Sequence, residues 1–194
     1  MGARRTGWAG LAFSVLLLVS AGMVNGPTAD RPGDEISSFY TTNWTVVLIA
    51  EAIGIVAALV FATFTSLLSD LMGERRVRMA GRIVVLVAVQ TSIPIVMLAI
   101  GVSEPDALVQ LSAGTDAALS LAIAAFLGVV ASRELPVSIR TVCGIVAVLS
   151  FARGLLGQVP AFEVLRIIAP VGFLGSVLVL AVWSFRHPVA KWGD

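Results

Sequence analysis

The sequence predicts an all-α protein, an integral membrane bundle of six transmembrane helices with both N- and C-termini on the cytoplasmic side. Three observations lead there. Of the 194 residues, 58% are apolar and 13% are charged, and the charged share is about half the ~25% of a soluble domain. Mean hydropathy is +0.97. The apolar residues also fall into six continuous runs, each near the ~20 residues that a helix needs to cross the hydrocarbon core. So few charges cannot coat a water-soluble globule, and intrinsic disorder needs the opposite composition. Continuous runs, in place of alternating ones, argue against a membrane β-barrel.

The expected spans are 8–24, 44–68, 82–100, 107–131, 139–157 and 164–183, within a single domain covering 1–194. Short breaks rich in Gly, Pro, Asp and Ser separate them, as turns require. Span one, with Arg4 and Arg5 before it and Ser20, Ala21 and Gly22 at its end, has the outline of a secretory leader too. No soluble domain follows a clean cleavage site, so the span is expected to be retained. The longest connection, 25–43, is an outer loop. Asp30 or Asp34 can cap a short helix there, and Ile36, Phe39 and Tyr40 then share one side of it. The expectation is an interfacial helix resting on the bundle; the alternative is a lid over an outward-facing cavity.

Orientation follows from the basic residues. Ten of the thirteen Lys and Arg flank one side: Arg4 and Arg5, the group between spans two and three, Arg133 and Arg140, and Arg186 with Lys191. By the positive-inside rule that side is cytoplasmic, and an even number of spans puts both termini there. Trp8 and Trp183 then fall at the inner boundary and Trp44 at the outer one. The cluster from Glu74 to Arg78 reads as a topology determinant. Arginine-rich, alanine- and valine-rich usage suggests a bacterial source, and the expected location is a bacterial cytoplasmic membrane.

Ionisable residues inside spans are costly and mark the first place to look for function. Glu51 and Asp116 lie about 10 and 13 Å inside the outer boundary at 1.5 Å per residue, and Arg153 and Arg166 about 6 and 3 Å inside it. With Gln90 in span three they form a candidate intramembrane polar cluster in the outer half. One reading is a charge network that fixes helix packing. The other is an outward-facing polar cavity for an anionic or zwitterionic ligand, extended by Thr91, Ser92 and Pro94. Small pairs such as Gly54 with Ala58 and Ala113 with Ala117 mark close helix approaches.

Much chemistry is missing from the sequence. The single histidine, His187, lies beyond span six, so no Ser-His-Asp triad can assemble. One Cys and one His are too few for a zinc site or paired haem ligation. No phosphate-cradling Gly-x-x-x-x-Gly-Lys loop occurs. Cys143, in an apolar run, behaves as a small hydrophobe.

Gly26-Pro27 to Tyr40 after span one, the glycine-and-aliphatic stretch from Asp116 to Gly128, and Leu135-Pro136 before span five resemble a broad group of small bacterial multipass membrane proteins of similar length. The resemblance implies a six-span fold and no activity, and no functional residue is carried over. The histidine and tyrosine cluster that some of that group carry in span four is missing here.

Taken together, the sequence points to a non-enzymatic, cofactor-free protein. Its expected role is that of a structural or accessory component that binds another membrane protein or itself, with lipid as its solvent and no nucleic-acid partner. The alternative is a small transporter, channel or ligand sensor built around the outer polar cluster.

Overall fold

In the computed structural model, which describes residues 2–24, 32–102, 105–157 and 159–186, each long apolar run is a helix. The elements are α1 (Gly2–Met23), α2 (Gly33–Thr42), α3 (Trp44–Met72), α4 (Arg75–Ala99), α5 (Pro105–Ala131), α6 (Val137–Leu156) and α7 (Leu165–Arg186), with one 3₁₀ turn at Pro160–Phe162. Six of the helices are long and apolar enough to cross a membrane. Among the described residues no strand forms.

The six long helices make a closed ring. Each packs on its chain neighbour, from α1 to α3, α4, α5, α6 and α7, and α7 returns to α1. Short connections make consecutive spans antiparallel, so the α3–α4 and α5–α6 turns lie at one end, the turn end, together with the start of α1. The opposite end carries α2. The arginine-rich segments of the chain therefore gather at the turn end.

Close approaches are made where side chains are small, because helices in lipid associate through packing. A Cβ at Gly10 would stand 2.8 Å from the Ala181 Cβ and 3.0 Å from the Phe64 ring, so this glycine lets α1 seat against α7 and α3. Gly154 of α6 likewise meets Leu121 and the Ala117 carbonyl of α5. Ser20 Oγ donates to the Ala50 carbonyl at 2.9 Å and ties α1 to α3.

Helix ends differ from the apolar runs at the turn end. α4 begins at Arg75 and not at residue 82, and α1 begins at Gly2 and not at residue 8. Hydropathy registers lipid contact, whereas arginine is a good helix former that water solvates equally well. α3 stops at Gly73, whose φ of +64° is the left-handed cap geometry. Glu74 then opens α4 by accepting the Arg76 backbone N–H at 3.1 Å. Its other oxygen pairs with Arg133 Nη1 at 2.7 Å, which locks the α3–α4 turn to the α5–α6 turn.

Packing is unequal along the bundle. The turn half is filled by Phe64, Leu68, Val77, Phe126, Leu127, Val130, Cys143, Val177 and Leu180, all at 0% exposure. Outward-facing residues such as Leu59, Leu86, Val148 and Ile167 are apolar and exposed, as a lipid-facing surface should be.

A short helix, α2, forms in the connection between the first two spans. Pro32 precedes it without a side-chain cap, and Asp34 and Glu35 occupy its first turn, where the helix dipole favours acids; Asp30 lies outside the described residues. Ile36 is buried and clusters with Leu98 of α4 and Leu108 of α5, with Tyr40 packed alongside. α2 therefore rests on the α3–α4–α5 side of the ring.

Candidate functional site

The residues singled out in the sequence separate into distinct arrangements. Asp116 of α5 and Arg153 of α6 come together: Arg153 Nη2 donates to both carboxylate oxygens at 2.8 Å. Arg166, at the start of α7, takes a backbone partner, with its Nε donating to the Gly157 carbonyl at 3.0 Å. It thereby covers a carbonyl at the C-terminal end of α6, where a cation is favoured. Glu51 of α3 lies half-buried beside the Ser92 hydroxyl of α4 and close to Tyr40 of α2. Gln90 is exposed on α4. Thr91 returns its hydroxyl to the Ala88 carbonyl at 2.7 Å, so it satisfies itself within its own helix.

Tyr40 reports the environment of Glu51. Burial first, and the Glu51 carboxylate second, push the Tyr40 phenol above the usual tyrosine range. The folded phenol holds its proton to a higher pH than the unfolded one. Its contribution to docking α2 is therefore fully present below about pH 10 and is lost as pH rises through the raised value. Tyr40 is the only tyrosine in the chain, so an ultraviolet tyrosinate titration reads it alone. The expected midpoint lies above ~10 and moves back toward it in Glu51→Gln; an unshifted midpoint in the parent protein would contradict this placement of Tyr40.

The outward-facing polar cavity offered as an alternative from the sequence shares only Arg153 of its charged residues with the cavity that forms, which has a volume of about 170 Å³, is mostly apolar and is lined by all six long helices. The cavity that forms sits at mid-depth, toward the α2 end. Phe13, Phe61 and Phe173 close it on the side of the packed half. Phe61 is the hub of that floor, with ring centroids 4.8 Å from Phe13, 5.3 Å from Phe126 and 5.6 Å from Phe173. Gly54, Ala57, Ala58, Ala88 and Ala169 supply small walls that leave the space open. Pro170, inside α7, also lines it.

The wall is apolar except on one side, where Ser120 of α5 and Ser150 and Arg153 of α6 face in. Ser120 Oγ donates back to the Asp116 carbonyl at 3.0 Å. Arg153 is therefore at once half of the Asp116 pair and the one charged residue of the chamber wall among the described residues. Its side chain is 16% exposed, against 44% for Asp116. Arg153 Nε is buried and has no hydrogen-bond acceptor. An arginine presents five donors in a fixed fork, so the grip on Asp116 through Nη2 leaves donor capacity directed elsewhere.

Among the described residues, no group of three or more His, Cys, Asp or Glu stands close enough to hold a metal ion. No family profile, curated protein or solved structure matches the chain.

Proposed function

We propose that this multipass membrane protein acts by binding, as a sensor or carrier that holds a small lipophilic or amphiphilic molecule inside its ring of spans. One observation carries the reading: a single chamber lined by all six long helices. Every span would feel an occupant, so occupancy could be transmitted to the whole bundle. The filled turn half below the Phe13, Phe61 and Phe173 floor favours a chamber closed at that end over a continuous pore. A binding role needs no catalytic group. The gathering of basic residues at the turn end supports a cytoplasmic position for that end, and with it an outer-leaflet position for the chamber mouth in a bacterial cytoplasmic membrane.

The test uses Cys143, the single cysteine, which is fully buried in the packed half. Its reaction with a maleimide dye on heating reports unfolding. In lipid nanodiscs, hexanol is expected to raise the labelling temperature by a few degrees. Ala58→Leu, which fills the chamber from α3, should remove the shift; Ala88→Leu serves if the first variant does not fold. Equal shifts in the parent and the filled variants would defeat the reading.

A second reading, an accessory component that binds another membrane protein or a second copy, is favoured by a separate groove of about 500 Å³ between α6 and α7 near the turn end. Ile139, Leu178, Val182 and Trp183 line it, with Arg186 at its margin. This groove faces outward from the ring, where a neighbouring transmembrane helix could seat.

A further inference from the structure

We infer that the chamber's guest is a small amphiphilic monocarboxylate, its apolar body against the phenylalanine floor and its carboxylate on Arg153. The inference rests on the reading that the chamber holds a ligand, and it names the ligand's class.

Size is the first argument. The cavity is about 170 Å³, close to the ~150 Å³ apolar cavity that admits benzene. That fits an aliphatic or aromatic body of about six to eight carbons, and excludes a phospholipid or sterol in full.

Charge is the second. The chamber wall contributes one cation and no facing carboxylate, because Asp116 meets Arg153 from outside the lining. An ammonium guest would find only the guanidinium, and a neutral one would leave that cation unanswered from the chamber side. A carboxylate answers that charge, and its planar pair of oxygens matches the guanidinium fork. Ser150 stands on the same wall beside Arg153, while Ser120 spends its hydroxyl hydrogen on the Asp116 carbonyl.

Exchange is the third. In the empty chamber Asp116 supplies Arg153 with a carboxylate through Nη2. Asp116 is much the more exposed of the two, so it can turn toward the polar α2 end as the guest's carboxylate takes its place. Asp116 thus acts as an internal stand-in for the ligand, and guest and Asp116 compete for one guanidinium.

Competition makes the test sharp. The full chain in nanodiscs is titrated calorimetrically with hexanoate, benzoate, hexanol and hexylamine, with Cys143 labelling as a second readout. Hexanoate and benzoate are expected to bind more tightly than hexanol, and hexylamine not to bind. Asp116→Asn removes the competitor and should tighten hexanoate by about tenfold, the change that corresponds to 1.4 kcal/mol. Arg153→Gln should abolish the preference for hexanoate over hexanol. Should that variant fail to fold, Asp116→Asn decides alone. Hexanoate binding no better than hexanol, or an Asp116→Asn variant without gain, overturns the assignment of a carboxylate. If hexanol still stabilises the parent and not Ala58→Leu, the chamber survives and only its guest is reassigned. If no compound in the panel registers, the chamber reading falls as well.

Discussion

Phe61→Ala is expected to destabilise the bundle by about 2–3 kcal/mol, below the ~3–5 kcal/mol for removing a buried aromatic from a water-soluble core. Phe61 is 1% exposed and contacts the rings of Phe13, Phe64, Phe126 and Phe173. Those rings come from α1, α3, α5 and α7, so one side chain joins four of the six spans. The loss has two parts, the dispersion contacts of the ring and the void left behind. Neighbouring rings cannot collapse into that void without leaving their own rotamers. In a bilayer the apolar transfer contribution is small, because lipid is as apolar as the core, and packing carries most of the effect. Denaturation in mixed micelles followed by Cys143 labelling measures the change. A loss under ~1 kcal/mol would show that the floor is not tightly packed. The same variant joins the vacated space to the chamber and should admit a bulkier lipophile than the parent does.

The second large effect concerns the Asp116–Arg153 pair. Arg153→Leu leaves a carboxylate on a transmembrane helix without its counter-ion, and breaking a buried pair by removing one partner costs about 3–5 kcal/mol. Asp116 is 44% exposed, so a smaller value of about 1–3 kcal/mol is expected after discounting for screening at that side chain. Replacing both residues by leucine should return stability to within about 1 kcal/mol of the parent, because a well-packed apolar pair substitutes for an ion pair at little net cost. The double-mutant cycle isolates the coupling. Additive losses from the two single changes would mean that the 2.8 Å contact contributes nothing to joining α5 and α6.

The six spans were legible because a run of apolar residues long enough to cross lipid has few other uses. Helix ends were less so: residues 75–81 are helical through the Glu74 cap and arginine's helix propensity, and hydropathy is blind to both. That acids and arginines would pair was legible from their opposite charges, but which acid takes Arg153 was not, because Glu51 lay nearer to it in expected depth than Asp116 did. Nor was the placement of Arg166, because its partner is the Gly157 carbonyl, and backbone acceptors leave no mark in the amino-acid order. Closure of the ring was hidden for a related reason. In lipid both faces of a helix are apolar, so no polar stripe shows which side turns inward. A cavity is an absence of atoms and has no residue of its own. Its one trace is a face of α3 on which Gly54, Ala57 and Ala58 precede Phe61, small residues above a large one.

The return of α7 onto α1 has a consequence for biogenesis. α1 presents Gly7, Gly10 and Phe13 to partners on α7, Phe185, Ala181 and Phe173. Those partners are translated after the other five spans of the ring, and domains otherwise tend to fold in the order in which they are made. Until they emerge, the nascent protein is an open-sided palisade whose leading stave has only one neighbour.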